Sequence, residues 1–572
     1  MRTFGKLRYG KFEGGAVWGV SNLAPHVAIA FKRLFPKVHT KRTTHILTDN
    51  DDTRADLDWF MLRYPLDVRA VEREMLAEGA ARMAARAAER DEILQLDWEP
   101  GDTPAVFRPG KVPYLYQEQA ATLAVRNNAL LLCDDVGLGK TITTFTVAAR
   151  GAALPMAIVV QSHLVRQWGK KAREFTTFRV HEIKQSKPYP LPVADLYIFS
   201  YNMLHGWLEV LASGMFKSAA FDEIQELRHG PKKTEWDAKG TQKGNAALVL
   251  TEAVDTNARG VLLGLTATPV YNYGDEMHTV MRYIAPHVLG DREEFIREWC
   301  HGDGSGHAIV NDPDALGSFL DSTGYRLRRR EDDEVVDKSM PPPNIVEFEL
   351  DYDRIALQKE EEILKSLAET VLTGKFEDAG QASRELDVRM RHLTGVAKAK
   401  PVAAYVNMLL RERKKVVLAG WHRDVYDLWR YALQKHNPVL YTGSESQAGK
   451  ARNVERFCEG DSDVLMISLR SGAGLDGLQH VCQDVVFGEL DWSPQVHYQL
   501  LGRVRRPGQL HQVTGHYLHV NGGSDPVLMS MLGVKADQSR GILDPGQAPR
   551  ARVNDDSRIK TLARFVLDGD RA

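Results

Sequence analysis

Residues Ala129–Arg150 read ALLLCDDVGLGKTITTFTVAAR. A short apolar run comes first, then a glycine-containing turn that closes on Lys-Thr, then a stretch with the composition of a buried helix. An apolar run that does not alternate with polar residues is the pattern of a strand covered on both faces. Gly137 and Gly139 let the backbone curl so that its N–H groups point inward, and the following helix adds the positive end of its dipole. Lys140 is then placed to reach the β and γ phosphates of a nucleotide, and the Thr141 hydroxyl to ligate Mg2+. Asp134, Gly137, Leu138, Gly139, Lys140 and Thr141 are therefore candidate nucleotide-binding residues. The usual loop pattern begins with Gly, and here that position is Asp134.

Outward from this stretch the same alternation repeats. Short β-branched runs, AIVVQS, LYIFSY, AAFDE and GVLLGLTAT, are separated by helical stretches up to about residue 275. A second series, KVVLAGW, PVLYTG, DVLMISLR, DVVFGELD and VTGHYLHV, follows from about residue 415. Strands of this kind spaced by helices predict parallel sheets built of βαβ units, so the fold class is α/β with two such domains in tandem. Between them, about 276–395, the chain is charged and helical, with a break at Pro342–Pro343. Residues 1–66 predict a small α+β module. KLRYGKF and GAVWGV are strands around Gly14–Gly15, AIAFKRLFPKV is a helix stopped at Pro36, and DDTRADLDWFMLRYP is a helix ending at Pro65. In 67–110, Val71, Met75, Met83 and Ala87 recur at multiples of four, with Glu78 and Arg82 spaced as an i, i+4 pair. This predicts one amphipathic helix with those residues as its apolar stripe, followed by a Pro/Gly-rich linker. The remaining units are 111–275, 396–540 and a loosely ordered tail, 541–572.

About eighty residues beyond the lysine, AAF runs into Asp222-Glu223-Ile224-Gln225. A carboxylate at a strand end suits Mg2+ coordination, and the next one suits orientation and deprotonation of an attacking water. Thr266-Ala267-Thr268-Pro269 ends another strand, where small hydroxyl residues can bond to those carboxylates. In the second series, QLLGRVRRPGQ (499–509) carries three arginines within four positions. Gln499, Arg503 and Arg506 are its candidate catalytic residues, with Arg503 and Arg506 read as i, i+3 on one helix face. Paired guanidinium groups suit developing phosphoryl charge. Ser471–Asp476 (SGAGLD) is a flexible turn, and Gly474 and Asp476 are candidate nucleotide contacts. KKAR (170–173), RLRRR (326–330) and RERKK (411–415) are candidate contacts to a phosphate backbone.

Over 572 residues, 74 Lys plus Arg against 76 Asp plus Glu give a formal charge of −2. That excludes a globally basic binder, so any nucleic-acid contact must come from local stripes. Cys133, Cys300, Cys458 and Cys482 are scattered with no CxxC pair, which argues against a disulfide framework or a Cys-rich zinc site. No run has the length and apolarity of a signal peptide or a membrane span, so a soluble intracellular protein without membrane contact is expected.

Taken together, DDVGLGKT, DEIQ, TATP, SGAGLD and QLLGRVRRPGQ occur in the order of helicase superfamily two, and they resemble its Swi/Snf-type branch of DNA translocases. Tyr116-Gln117 resembles the motif in which a Gln reads adenine, so Gln117 joins the candidate nucleotide contacts. VVQSHLVRQW (159–168) resembles the strand and Leu…Gln-Trp helix that contacts DNA backbone. FSYNML (199–204), Asn272, YRLRRR (325–330), WHRDVYDLW (421–429) and GELDWSPQVHYQ (488–499) fit the same pattern. RHLTGVAKAKPVAAYV followed by KKVVLAGWHRDV resembles the annealing-helicase group that carries HARP modules, and residues 1–66 are HARP-like in position, size and pattern. The resemblance covers about 110–540. It implies two tandem RecA-like parallel-sheet domains with helical insertions. It implies ATP and Mg2+ as cofactors, ATP hydrolysis in a cleft between the domains, and DNA, chiefly its phosphate backbone in duplex or fork, as partner. The resemblance also implies remodelling or reannealing of DNA. A strand-separating helicase, a motor subunit of a nuclease or restriction complex, and a DNA-binding subunit with an inactive ATPase are the alternatives. Replication, repair or nuclease protein partners are left unnamed. The chain departs from the family at Gln225, where DExH is common, at Arg505 and Pro507 in place of His and Ile, and at GLDG in place of GLNL.

Overall fold

The structure, a computed structural model, describes residues 3–568 apart from 13–14, 39–42, 232–239, 268–274, 302–307, 331–332, 334, 336–342, 375, 470–474, 476, 507 and 531–554. The chain divides into two compact units, Met1–Asp134 with Lys140–Arg328, and Asp135–Gly139 with Arg329–Ala572.

The first unit begins with β1 (Lys6–Phe12), β2 (Gly15–Ser21) and β3 (His45–Thr48), an antiparallel sheet in the order β1-β2-β3. Helices α1 (Pro25–Leu34) and α2 (Asp51–Arg63) pack Val27, Phe31, Leu57 and Phe60 against Trp18 and Val20. α1 stops just before Pro36, whose missing N–H and ring clash disfavour continuation. α2 starts where the Asn50 side chain accepts a hydrogen bond from the Thr53 N–H, satisfying one of its unpaired first-turn donors.

α3 (Ala70–Ile93) forms as its composition requires, and Arg82 lies 3.8 Å from Glu78 at i, i+4. The apolar stripe read from the sequence, however, holds only in part: Met75 packs against the core of the N-terminal module and Ala87 is half-buried. Val71 is 68% exposed and Met83 38%, whereas Glu72, Leu76, Gly79 and Ile93 are buried. The reason is polar. Asp51 of α2 pairs with both Arg82 and Arg86, and α2 approaches so closely that a Cβ on Gly79 would fall 2.5 Å from Arg54 Cβ. The buried Glu72 carboxylate accepts the Tyr9 N–H at 2.8 Å and the Arg69 N–H at 2.9 Å. Burial pushes Glu72 up, but the Arg69 guanidinium and these two N–H groups outweigh it and hold the carboxyl at about 2.

Next, α4 (Leu115–Asn127), β4 (Ala129–Leu132), α5 (Lys140–Ala149), β5 (Met156–Val160), α6 (Val165–Phe175), β6 (Val180–Glu182), β7 (Leu196–Ser200), β8 (Ser218–Asp222) and β9 (Leu262–Leu265) build the first large sheet. β10 (Cys300–His301) and β11 (Ile309–Val310) form a separate hairpin, and β12 (Arg326–Leu327) returns to the large sheet's edge. The order is β12-β4-β9-β8-β5-β7-β6, parallel throughout. All five strands expected from the sequence are present. β6 and β12 are too short to have shown a pattern. The residues of β4, β5, β7 and β9 are all buried, as helices on both faces demand.

In the second unit, β13 (Asn344–Glu349), β14 (Val416–Gly420), β15 (Val439–Tyr441), β16 (Val464–Ser468), β17 (Asp484–Phe487) and β18 (Thr514–His519) form a parallel sheet in the order β13-β18-β17-β14-β16-β15. Again the five expected strands are present. β13 escaped notice because it is a mostly exposed edge strand with no apolar run. Both units are thus RecA-like α/β sheets, and the described part of the connecting region is mostly helical, with β10 to β13 between its helices. Its longest helix, Phe376–Glu412, is tied to the sheet by a fully buried ammonium: Lys398 Nζ donates to Asp525 Oδ2 at 2.7 Å and to the Leu518 carbonyl at 2.8 Å. Among the described residues no helix is long and apolar enough to cross a membrane.

The chain's end departs from the loose order expected of it. Asp555–Asp568 is a helix that buries Leu562 and Ala563 in the core of the second unit, with Phe565, Val566 and Leu567 packed beside them. Its few apolar residues, clustered at the helix's end among charged ones, gave too weak a pattern to read. Leu562→Ala should therefore destabilise the second unit by ~2–5 kcal/mol, as for other buried leucines. Lys560→Ala, one turn-face away and exposed, should stay within ~0.5 kcal/mol. Urea denaturation followed by tryptophan fluorescence measures both.

Candidate nucleotide site

In a parallel sheet the chain leaves every strand on the same side, so the loops after β4, β9 and β8 share one edge. β9 lies between the other two and is hydrogen-bonded to both. The strand is closely packed at Gly264: a Cβ would fall 2.9 Å from the side-chain tips Ile224 Cδ1 and Leu131 Cδ1, which would have to shift. The Thr266 N–H donates to the Leu132 carbonyl at 3.0 Å and continues the ladder past the strand end. Thr268, Pro269 and Asn272 lie outside the described residues.

The loop after β4 has the expected form. Gly137 at φ 100° and Gly139 at φ 73° occupy left-handed backbone that a side chain would strain. Lys140 opens α5, and its Nζ donates to the Asp134 carbonyl at 2.6 Å, across the base of the loop. Asp134 is fully buried. Thr141 is the second residue of α5, at the helix's positive end.

β8 ends at Asp222, and Glu223 turns the chain at φ 52°, ψ 53°. A non-glycine residue in that region costs on the order of 1–3 kcal/mol and persists only where its surroundings enforce it. The surroundings do so from four other segments. The Tyr201 hydroxyl, just past β7, donates to the Asp222 carbonyl at 2.9 Å. Burial, with the Asp222, Glu226 and Glu223 carboxylates adding to it, pushes the Tyr201 phenol well above its ordinary value, so it stays a donor. Trp168 Nε1 of α6 donates to Asp222 Oδ2 at 3.1 Å. Gln161 Nε2 donates to Glu226 Oε1 at 3.3 Å, and Lys243 pairs with the other Glu226 oxygen. The buried Gln225, found where the family pattern has His, donates its amide N–H to Glu223 Oε2.

Sequence reasoning found Asp222 and Glu223 but not their holders. Trp168 and Tyr201 stood inside stretches quoted for their resemblance, which was the available signal. Gln161 stood in the same stretch as Trp168, whereas Lys243 gave no signal, because it is a lone polar residue whose partner lies 17 positions away. Gln117 is buried in the first turn of α4, where its Oε1 accepts the Tyr114 N–H at 3.0 Å.

In the second unit, Gln499 and Arg503 lie on the helix Pro494–Val504. That helix ends before Arg506, so Arg503 and Arg506 are not i, i+3 on one helix face as the spacing predicts. The backbone leaves helical geometry at Arg505, at φ −88°, ψ 89°, and Arg506 Nη1 donates to the Leu475 carbonyl at 2.8 Å. Gly474 and Asp476 lie outside the described residues. Beyond β14, the Trp421 and His422 N–H groups donate to Glu489 Oε2 at 2.6 and 3.0 Å, which ties WHRD to GELD.

The three basic segments separate on burial. Arg166, Lys170 and Arg173 form an exposed stripe on α6. Arg326 and Arg329 are buried, with Arg326 paired to Asp321 at 2.7 Å, so RLRRR is not a free basic surface. It carries β12 and donates from Arg328 to the Cys133 carbonyl. In RERKK, Arg413 lies 3.2 Å from Asp484, and Lys415 donates to the Ser462 carbonyl at 2.9 Å.

The SNF2-related domain family matches residues 57–462. A SWI/SNF-related matrix-associated actin-dependent regulator of chromatin subfamily A-like protein 1 from Drosophila melanogaster is 24% identical over 436 residues, covering 73% of this chain and 54% of that protein. The bovine (Bos taurus) DNA annealing helicase and endonuclease ZRANB3 is 24% identical over 471 residues, 77% of this chain and 41% of that protein. An uncharacterized ATP-dependent helicase, YqhH, from Bacillus subtilis is 22% identical over 440 residues, 71% of this chain and 75% of that protein. The chain thus spans about half the length of the first two.

His497, on the same helix as Gln499 and Arg503, offers a test of this region's packing. Its Nε2 accepts the Asp491 N–H at 3.3 Å and its Nδ1 faces the Ser493 carbonyl at 3.1 Å, the pattern of a neutral ring. Burial lowers its pKa from 6.5 to about 4. The unfolded chain therefore binds the extra proton first, and stability is lost as pH falls from about 6.5 toward 4. His497→Gln should flatten that slope by up to ~1.4 kcal/mol per pH unit. Urea midpoints at pH 7, 6 and 5 for the two proteins give the difference.

Proposed function

The chain belongs to the SNF2-related domain family, and on that premise we propose that it is an ATP-driven motor that moves along DNA and remodels or reanneals it. One observation carries the reading: the Lys140 loop, Thr266 and the Asp222–Glu223 turn stand on one edge of one sheet, at the ends of β4, β9 and β8. The names of the relatives, a DNA annealing helicase and an ATP-dependent helicase, support it.

In this reading Lys140 and the loop N–H groups bind the phosphates, and Gln117 lies toward the base. The donors at the edge are a hydroxyl, Thr141, and a carboxylate, Asp222. These hard oxygens suit Mg2+, which keeps positions for water and phosphate. When bound, Mg2+ offsets charge on the β and γ oxygens. Glu223, held by Gln225 in its left-handed turn, orients the attacking water and takes its proton. Arg503 and Arg506 supply positive charge to the same triphosphate, and Gln499, Gly474 and Asp476 contribute from the second RecA-like unit. The exposed stripe of α6 contacts phosphate backbone, so DNA binding is independent of sequence and weakens with salt. Residues 1–66 form a HARP-like accessory module.

ATP turnover measured without nucleic acid and with single-stranded DNA, duplex, fork and RNA tests the proposal. Duplex or fork should raise kcat. Lys140→Ala should abolish turnover, Glu223→Gln should lower kcat by ~10²–10⁴-fold while nucleotide still binds, and Arg506→Ala should lower it by ~10³-fold. Turnover indifferent to every nucleic acid refutes the motor. An annealing assay on DNA coated with single-strand-binding protein, beside an unwinding assay on forked duplex, separates rewinding from strand separation.

A further inference from the structure

α6 has two opposed faces. Arg166, Lys170 and Arg173, at i, i+4 and i+7, are exposed, whereas Trp168 and Ala172 on the opposite side are buried in the core. Trp168 is 3% exposed and packs edge-on against Phe145 of α5, with ring centroids 5.8 Å apart. Its one polar atom, Nε1, donates to Asp222 Oδ2 at 3.1 Å. A buried indole needs a partner for its N–H, but a carboxylate at a catalytic strand end is an unusual choice and a strong one, because the acceptor is charged. The helix is also held along its length. Arg173 pairs with Glu182 of β6 at 2.8 Å, and that carboxylate lies over Gly169, where a side chain would displace it.

We propose that Trp168 is a positioning residue for Asp222, which it reaches through its indole N–H, and that α6 thereby transmits contact with DNA phosphates on its basic face to the metal-binding carboxylate. The inference rests on the motor reading above. Phosphate on the exposed face competes with Glu182 for Arg173, and a rigid helix that shifts on one side moves its buried indole on the other. Asp222 is fixed on its backbone side by Tyr201, so the carboxylate responds by rotating rather than by moving as a whole. Binding at the stripe and geometry at the strand end then share one hydrogen bond.

The test compares wild type with Trp168→Phe and with a full-length protein carrying 3-benzothienylalanine at 168, which keeps the indole's shape and loses the N–H. Basal and duplex-stimulated turnover, the Mg2+ dependence of turnover, and duplex affinity by fluorescence anisotropy are measured for each. Loss of a donor to a charged acceptor should cut the duplex-stimulated/basal ratio by about tenfold and raise the Mg2+ concentration for half-maximal turnover by a similar factor. Duplex affinity should stay within about twofold. Phe145→Leu, which disturbs the ring's packing and spares the N–H, should leave the ratio unchanged. An unchanged ratio and Mg2+ dependence in the benzothienyl protein overturns the proposal, as does an equal fall in basal and stimulated turnover with the Mg2+ dependence intact, since that marks a structural role alone. Wild type without any duplex stimulation overturns instead the motor reading beneath it.

Discussion

Two hydrogen-bonded ladders set the scale of the candidate site. β4 bonds to β9 and β9 to β8, and neighbouring strands lie about 4.8 Å apart. The loop that ends in Lys140 and the turn that begins at Asp222 are therefore separated by two strand spacings, about 10 Å. That is the reach of a triphosphate with a metal ion on its oxygens. Neither loop has to find the other, because backbone bonds in a buried sheet keep them apart and aligned. Gly264 shows how close the packing is: a methyl group on the middle strand would press on the side-chain tips of Leu131 and Ile224.

On this fixed spacing the structure builds a turn that would not persist alone. Glu223 sits in left-handed backbone, and contacts from β7, α6, the end of β5 and the helix Gln242–Ala253 converge on the five residues from Asp222 to Glu226. Strain held in this way pre-organises a group, because the geometry is set before substrate arrives. The four holders belong to segments far apart in sequence, so each links the turn to a different part of the first unit. α6 is the one among them that also presents a basic surface, and that is why it can join binding to chemistry.

The second unit uses comparable means for different ends. Glu489 collects the backbone N–H groups at the end of β14, and Lys398 with Asp525 pins the long helix to the end of β18. Burying such charges is costly unless every lone pair and proton is met, and here the partners are backbone as well as side chain. The same logic redirects RLRRR, a segment that looks like a nucleic-acid surface in sequence. Arg326 and Arg329 turn inward because β12 completes the edge of the first sheet, and position in the fold overrules composition.

What the sequence determined by itself is what depends on neighbours in the chain. Most of the ten expected strands announced themselves as apolar runs such as ALLL, MAIVV and VVLAG, since a strand covered on both faces is apolar at nearly every position. The phosphate loop was legible because its glycines, lysine and threonine act within eight consecutive residues. What only the tertiary structure decided is what depends on neighbours in space. The face of α3 was set by Asp51 and Arg54 on another helix, so its apolar periodicity matched the buried face only in part. The C-terminal helix acquired its role from a core it meets only after folding, and the helix end before Arg506 moved that arginine off the face its spacing suggested. The hold of Trp168 on Asp222 spans 54 residues, and no local pattern encodes a hydrogen bond between side chains that approach only when α6 packs across the sheet.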